Sequence, residues 1–432
     1  MTTKLFKSLQ ARPVQVRPVI FIALFLSFVS GSIHATEINT YRPFDIDFKN
    51  AQFGKRKIRV GLTGEYMSTH EGYDLNTQKQ DLFKLYETVQ SASAMLRSNS
   101  FKFPSADDPT ILGLNTTDPT KATLDLSGRF TSSAATLWAQ AKLPLENKPG
   151  TWFVAGYLPL KSLAAHDIIW KDLTDPTQTA YINNVTSKIH SYVKEVGGLD
   201  INDWRIARPG DTSVFLGWYN DFVQNKNDRR IKRAIVNAKI GISIPTGETR
   251  DEDMAFSIPT GFDGAWGLPA SLSLDFEFTQ YVQAGLGVDW LKLFDHTKVR
   301  RFKTDKDQTE YLLLNKGTIT KKHGGTWRFN LYAKLIHENF AFTASYHFLK
   351  HMDDTYFSND FNNTAINTSE SIKEWTTQDV VLKASYTTIR KTKKEFIHNK
   401  IDPAIHAFVR IPMGGRRIIS GMVVGGELTL AF

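Results

Sequence analysis

Cysteine is absent from the 432-residue chain. Its absence excludes a disulfide scaffold, thiolate zinc sites, a cysteine nucleophile and a lipoprotein anchor. It also suits a chain that crosses an oxidising compartment, because stray thiols would pair there. The GxSxG, HExxH, phosphate-loop and calcium-loop motifs are missing as well, and the 11 histidines have no metal-ligand spacing. We therefore predict a protein that is not an enzyme and that has no cofactor and no metal site.

Long hydrophobic runs are missing after residue 36, so nothing there predicts a transmembrane helix. The one apolar run is VIFIALFLSFVS, residues 19–30, followed by GSIHA. Four cations precede it: Lys4, Lys7, Arg12 and Arg17. This order predicts a secretory signal peptide over residues 1–35, cleaved after Ala35. The alternative, a membrane anchor, needs about 20 apolar residues, and the run is shorter.

The excess of positive over negative charge is small. The chain has 53 Lys and Arg against 44 Asp and Glu, a net charge of +9. Removal of the signal peptide with its four cations leaves 53 − 4 = 49 cations against 44 acids, a net charge of +5. A charge this mild does not predict binding to nucleic acid.

Apolar and polar residues alternate along much of the chain, which is the period of a β-strand with two different faces. Thirteen segments are candidate strands: 57–66, 121–130, 134–143, 151–160, 212–222, 234–244, 271–278, 282–291, 326–335, 340–348, 379–387, 405–411 and 417–432. A β-sandwich would show the same alternation. The candidates, however, are long enough to cross a bilayer at a tilt, and their polar faces are rich in charge. We therefore predict an all-β fold, an antiparallel transmembrane β-barrel over residues 56–432, after a periplasmic segment at 36–55.

The chain ends GELTLAF, with apolar residues at Leu428, Leu430 and Phe432. This ending resembles the terminal strand of Gram-negative outer-membrane barrel proteins, including porins and channels. The resemblance implies that the barrel-assembly machinery binds this strand by adding it to an exposed sheet edge. It also implies that the last strand pairs with the first in the closed barrel, and that outer-membrane lipid surrounds the protein.

A second resemblance lies in the turns SIPTGE (243–248), RIPMGG (410–415) and YLPLK (157–161). The first is similar to the PTG turns of barrels described as outer-membrane transporters of phenol-degradation pathways. The alternative explanation is general, because proline cannot donate a ladder hydrogen bond and therefore marks strand ends in any sheet.

The number of strands depends on residues 68–121. Thirteen is odd, whereas bacterial single-chain barrels have even numbers of strands, so we predict about 14 strands within a range of 12–16. A hidden strand in 68–121 would supply the missing one. The same stretch has helical spacing over 81–96, with Asp81 as N-cap, so a helix there could sit in the lumen. A second helix is predicted in the long loop 161–211, starting at Asp175 and ending at Gly197–Gly198.

The parity of the strands predicts which charged side chains point into the lumen. The predicted pore-lining residues are Arg59, Arg129, Lys239, Asp275, Glu277, Asp289, Arg328, Lys334, Lys383 and Arg410. The acids concentrate on 271–291 and the cations on later strands, so the two signs could face each other across a pore and select solutes. The alternative is that the charges pair and fill a narrow lumen.

We predict an outer-membrane channel or passive transporter for small solutes, with a mild anion preference. The long connections would be extracellular and the short ones periplasmic. One alternative is a structural or adhesion barrel that acts through its extracellular loops. Another is an outer-membrane enzyme, since Ser345 and His347 share one face of a strand.

Overall fold

The computed structural model describes residues 56–97, 118–145, 149–224, 230–387 and 401–432. The predicted signal peptide at 1–35 and the predicted periplasmic segment at 36–55 lie outside the described residues. Within the described residues the fold is all-β, as predicted, with few and short helices.

Twelve strands form the barrel wall. They are β1 (Ile58–Thr69), β5 (Thr123–Lys142), β6 (Thr151–Asp172), β8 (Thr212–Val223), β9 (Arg233–Ile244), β10 (Gly267–Thr279), β11 (Val282–Leu293), β14 (Gly325–His337), β15 (Phe340–His351), β17 (Trp375–Thr387), β18 (Asp402–Arg416) and β20 (Val423–Ala431). Each pairs with its neighbours in antiparallel fashion, in the order β5-β1-β20-β18-β17-β15-β14-β11-β10-β9-β8-β6. The pairing of β6 with β5 closes the ring.

In the part of the chain that the structure describes, eight shorter strands lie outside this ring. They are β2 (Glu71–Tyr73), β3 (Lys79–Asp81), β4 (Gln90–Ser91), β7 (Trp204–Pro209), β12 (His296–Arg301), β13 (Lys316–Lys322), β16 (Thr355–Phe357) and β19 (Ile418–Ile419). β4 and β7 pair with β5 and β6 of the wall, and the others form two small sheets, β12-β13-β16 and β19-β2-β3.

The barrel has 12 strands, inside the predicted range but fewer than the central figure of 14. The difference arises because the candidates 121–130 and 134–143 are one continuous strand, β5. The intervening Thr131, Ser132 and Ser133 contain no Gly or Pro to turn the chain. Beyond the end of β1 at Thr69, the described residues of 68–121 contribute no wall strand, so the odd count came from dividing β5 in two.

The predicted helix over 81–96 is wrong as a single element. Asp81 does cap a turn of 3₁₀ helix, Leu82–Lys84, by accepting a hydrogen bond from the Phe83 amide at 3.1 Å. A separate short helix, Ala92–Met95, follows. Between them Gln90 and Ser91 pair with β5, and this tertiary pairing interrupts the helical period.

The helix predicted in the long loop exists, but it is broken. It comprises Thr179–Asn184, a 3₁₀ turn at Thr186–Lys188, and Ile189–Gly197. Its end is as predicted, because Gly198 takes the left-handed conformation, φ 60°, that stops a helix. The predicted start at Asp175 is wrong, because the N-cap position is Gln178 and the Asp175 carboxylate accepts from the Thr177 amide before the helix begins. The remaining helical pieces are Asn363–Ile366 and the 3₁₀ turn Glu370–Ile372. No helix among the described residues is long and apolar enough to cross a membrane.

The start of β1 and the end of β20 lie at the same end of the barrel, which we call the turn end. The long connections lie at the opposite end, which we call the loop end. The last strand pairs with the first, as predicted: Leu428 is opposite Leu62, and Leu430 is opposite Val60. The Phe432 amide donates to the Ile58 carbonyl at 2.9 Å. The chain terminus is therefore held in the wall.

The outer surface of the wall is an apolar band. The exposed apolar side chains include Ile58, Leu62, Leu137, Val154, Leu158, Leu216, Ile240, Ile242, Leu272, Leu286, Phe329, Leu331, Leu335, Phe342, Leu382, Ile405 and Leu428. Exposed aromatic residues flank it at the turn end (Phe222, Tyr281, Phe340, Tyr386, Phe432) and at the loop end (Tyr66, Trp266, Phe294, Trp327). An apolar band between two aromatic girdles is typical of a barrel surrounded by lipid.

At the loop end the arrangement reverses, because the inside is apolar. We call this cluster of buried side chains the cap; it joins inward residues of β1, β5, β6 and β20 to the long connections. Its most deeply buried members include Leu82, Phe83, Leu124, Phe130, Val185, Val193, Phe256 and Leu312. The cap is the main hydrophobic core of the molecule, and it lies across the mouth of the barrel.

Candidate functional site in the barrel lumen

One side of the lumen is aromatic. Trp138, Phe153, Tyr157 and Phe215 project inward from β5, β6 and β8 and are at most 4% exposed. Tyr157 and Phe215 meet edge to face, with ring centroids 5.5 Å apart. Gly217 is paired with Phe153, and a Cβ at Gly217 would lie 2.1 Å from the Phe153 ring. This glycine therefore makes the room that the aromatic wall needs.

The other side of the lumen is polar and charged. Asp289 and Arg328 are register partners on β11 and β14, and Arg328 Nε donates to Asp289 at 2.7 Å. Both side chains are almost fully buried, at 2% and 6% exposed. On the next rungs, the hydroxyl of Tyr332 donates to Asp275. These groups are therefore held by one another.

The predicted arrangement of acids facing cations across a pore is wrong for this pair. β11 and β14 are neighbours in the ring, so Arg328 lies beside Asp289 and not opposite it. Lys383 on β17 lies 3.5 Å from Glu427 on β20, with β18 between the two strands. The alternative that the charges pair describes these residues better. Alternation gives the face of a residue, but the ring order, which the sequence does not contain, decides which charges meet.

Most of the other predicted lining residues have inward parity. Arg59 lies over the Trp138 ring, 5.7 Å from its centroid. Glu277 is 3.8 Å from Arg233, which also binds Asp221. Lys239 and Arg410 are buried, at 4% and 7% exposed. Lys334 is half-buried and shares a rung with Lys383, with Thr343 between them.

Arg129 is not in the lumen. Its side chain is 53% exposed and points outward at the loop end, 4.0 Å from the exposed Asp167. Leu124, Leu126 and Phe130 on the same strand point inward, into the cap. The prediction for Arg129 is wrong because this part of β5 extends beyond the apolar band, where the inside of the barrel is apolar and the outside is polar.

The mouth is bridged by residues 82–97, which we call the strap. The strap belongs to the connection between β1 and β5, and it contacts residues 302–315, in the connection between β11 and β14. These two connections leave the ring six positions apart, so they are on opposite sides of the barrel. The bridge includes two hydrogen bonds. Arg97 Nη1 donates to Asp307 at 2.5 Å, and the Ser91 amide donates to Thr309 Oγ1 at 3.2 Å.

A buried ionic triad lies at the centre of this bridge. Lys303 Nζ is 3.2 Å from Glu87 of the strap and 3.1 Å from Glu310. Burial raises the pKa of Glu87 to about 7; the Lys303 ammonium opposes the rise and the Glu310 carboxylate adds to it. Burial alone would raise the pKa of Glu310 too, but Lys303 and the Ser369 hydroxyl lower it below its ordinary value. Lys303 thus pairs with two carboxylates, those of Glu87 and Glu310, which differ in pKa.

A second buried polar network ties the wall to the connections. Asp354 accepts from His351 Nε2 at 3.0 Å and is 2.9 Å from Lys321 Nζ. Burial alone would raise the pKa of Asp354, but the positive charge of Lys321 and the contact with His351 hold it well below its ordinary value. Sequence reasoning missed this network and the triad. Both are formed between distant connections, and no spacing along the chain signals them.

Two small cavities lie at the edge of the cap. One has a volume of about 40 Å³ and is lined by Tyr86, Arg250 and Tyr311, among others. The other, of about 50 Å³, is lined by His351 and Trp375 of the wall, among others. Ile258 and Pro259 line both cavities. Each could hold a few water molecules. Among the described residues, no group of three or more His, Asp or Glu could hold a metal ion.

No family model matches this chain, and no curated protein matches it. Among solved structures, an outer membrane channel from Pseudomonas putida F1 is 9% identical, with a TM-score of 0.48 over 89% of this chain and 97% of that one. The TodX monoaromatic hydrocarbon channel, as a deletion mutant, is 9% identical with a TM-score of 0.37, over 88% of this chain and 91% of that one.

A Pseudomonas aeruginosa FadL homologue is 11% identical with a TM-score of 0.30, over 87% of this chain and 89% of that one. By name, the first of these structures is an outer-membrane channel and the second is a hydrocarbon channel. With TM-scores below 0.5, the likenesses carry no argument about function, so the function has to be argued from the geometry of this chain.

Proposed function

We propose that this protein is a channel or passive transporter for small solutes in the outer membrane of a Gram-negative bacterium. The carrying observation is the closed barrel, which is apolar with two aromatic girdles outside and charged inside. A lumen lined with charged and polar side chains suits a path for water and solutes.

Location and assembly are part of the same proposal. The chain would be exported through the signal peptide, and the assembly machinery would recognise Leu428, Leu430 and Phe432. The loop end would face the outside of the cell, because outer-membrane barrels have long extracellular and short periplasmic connections. The pairing of β20 with β1 supports the role of the terminal strand as the one that closes the ring.

The finer part of the proposal is a mild preference for anions. Lys334 and Lys383 share a rung near the turn end, and Lys334 makes no ion pair with a described residue. Its charge therefore acts on passing ions more than that of Arg328, which Asp289 compensates. We expect a small effect that fades with salt, because the Debye length falls from about 10 Å at 0.1 M to about 3 Å at 1 M.

The test is the reversal potential of single channels in planar bilayers under a salt gradient. Lys334→Glu should move it toward cations at 0.1 M, Lys334→Gln should move it about half as far, and both shifts should shrink at 1 M. Channels whose selectivity is the same in all three proteins would contradict the anion preference. Absence of any conductance steps, both in these proteins and in a folded variant without the strap, would contradict the channel itself.

The second candidate is a structural or adhesion barrel, which the cap favours because it closes the mouth with a hydrophobic core. The two candidates differ after removal of the strap. A variant with residues 82–97 replaced by a short Gly-Ser linker should conduct more than the parent if the barrel is a channel. If it stays silent while the barrel is folded, the structural role is favoured.

The enzyme alternative has weaker support in the geometry. The Ser345 hydroxyl donates to the Val381 carbonyl at 3.5 Å, on the neighbouring strand. A nucleophilic serine needs its hydroxyl directed at a base. We therefore propose no catalytic role for Ser345 and His347.

A further inference from the structure

The strap is attached to the far side of the mouth by contacts of two kinds. Apolar contacts join Phe83 to Tyr311, with centroids 5.7 Å apart, and to Phe256, at 5.0 Å. Polar contacts join Glu87 and Arg97 to residues 302–315. Since the strap starts beside β1 and β5 and these partners lie across the ring, any opening of the mouth on this side has to break both kinds of contact.

The triad has one cation too few. With both carboxylates ionised, Glu87, Lys303 and Glu310 carry a net charge of −1 in a largely buried place: the side chains of Lys303 and Glu310 are each 4% exposed, and that of Glu87 is 21% exposed. Burying an uncompensated charge is costly. A single proton makes the triad neutral. Glu310 is held ionised by Lys303, the Ser369 hydroxyl at 2.8 Å and the Glu370 amide at 2.7 Å, so Glu87 is the carboxylate that takes the proton.

We propose that the strap is a pH-controlled gate, which closes the mouth when Glu87 is protonated and releases it as Glu87 ionises. The gate rests on the proposed channel function, because a closed mouth matters only if solutes pass. Released into solvent, Glu87 no longer needs Lys303, and the strap can leave without exposing an unpaired lysine, since Glu310 stays beside Lys303.

The charged surroundings of Glu87 agree with this assignment. From residues 302–315 it faces Lys303, Glu310 and the phenol of Tyr311, and the Glu310 amide approaches it at 3.4 Å. The strap makes further ion pairs: Arg97 lies beside Asp305 and Asp307, and Lys84 is 2.6 Å from Asp125 of β5.

The sign follows from linkage. The pKa of Glu87 in the closed state, about 7, is above the ordinary value of 4.5. Protonation of Glu87 therefore contributes fully to closure at pH values below the ordinary pKa of 4.5. This contribution is lost as the pH rises past about 7. Between pH 6 and pH 8 the ratio of closed to open mouths should fall about tenfold.

A thiol probe in the strap tests this directly, because the chain has no native cysteine. Ala94 is fully buried in the closed strap. The rate at which a maleimide labels Ala94→Cys, divided by the rate for Glu195→Cys on the exposed helix surface, reports the open fraction and cancels the pH dependence of thiol reactivity. Ser93→Cys, also fully buried, serves if Ala94→Cys does not fold.

We expect the labelling ratio to rise about tenfold from pH 6 to pH 8. Adding Glu87→Gln, which mimics the protonated form, should keep labelling slow at both values, while the control Glu195→Gln should not change the pH dependence. A labelling ratio equal at both pH values, or a pH dependence that survives Glu87→Gln, would overturn the gate.

Single-channel recording separates this inference from the proposed function. If the gate controls solute passage, the open probability should rise with pH in the parent and stay low in Glu87→Gln. Pronounced pH-dependent labelling in a barrel that never conducts would contradict the channel function but keep the movement of the strap. Steady conductance with constant labelling would contradict the gate and keep the channel.

Discussion

Strand β5 crosses two different surroundings, and its two halves can be compared directly. Over residues 123–130, at the loop end, Leu124, Leu126 and Phe130 point inward and are buried in the cap. Over residues 134–142, within the apolar band, Leu137 points outward and is 48% exposed, while Gln140 points inward. The apolar face thus changes sides along one strand.

This reversal shows that alternation indicates a two-faced strand and nothing more. Where lipid lies outside and a polar lumen inside, apolar residues point out. Where water lies outside and the connections fold inward, apolar residues point in, as in a soluble protein. The parity of β5 does not change along its length; the solvent on each side does.

The largest expected effect comes from changing Phe432, at the end of the strand that closes the ring. Deletion of Phe432, or Phe432→Asp, should prevent assembly of the barrel, because the terminal strand both carries the assembly signature and closes the ring with β1. Heat-modifiability and protease resistance in outer-membrane fractions are the measurements. A normal barrel in those fractions would show that the ending is dispensable.

The next effect tests the cap. Phe130→Ala should lower the free energy of unfolding by about 3–5 kcal/mol, because Phe130 is fully buried and its removal leaves a cavity. Leu137→Ala on the same strand should cost clearly less, since lipid can fill the space beside it. Urea titration of the barrel in liposomes gives both values. Equal costs would mean that the two halves of β5 have the same surroundings.

The band itself is tested by charge. Leu331→Arg should cost about 2–4 kcal/mol if the site is near the middle of the bilayer, because Leu331 faces lipid. Asn330→Arg, one residue away on the inward face, should cost much less. A folding titration in which both substitutions have the same effect would refute the register of β14.

Much of the fold is readable from the sequence for a physical reason. Inside the band, lipid on one side and polar groups on the other impose a strict period of two, so segments such as 326–335 and 271–278 are recognised with their faces. The ending is also readable, since a strand that continues to Phe432 must be paired.

The candidate site was less predictable. The pairing of Asp289 with Arg328 depends on which strands are neighbours, and the triad of Glu87, Lys303 and Glu310 depends on how three distant stretches meet across the mouth. Helical spacing over 81–96 gave the wrong element because the cap, and not an intrinsic helical preference, sets that backbone.

The smallest expected effect concerns Arg129, which lies in the part of β5 where the inside of the barrel is apolar. Arg129 would line the pore if the arrangement with lipid outside and polar side chains inside extended to the loop end. Its side chain is instead 53% exposed beside Asp167, outside the lumen. Arg129→Gln should therefore change the free energy of unfolding by no more than about 0.5 kcal/mol and should leave the reversal potential unchanged. The matched variant Lys334→Gln, inside the lumen, should shift that potential. A shift of equal size with Arg129→Gln would place Arg129 on the ion path and would extend the polar lumen into the region that the cap fills.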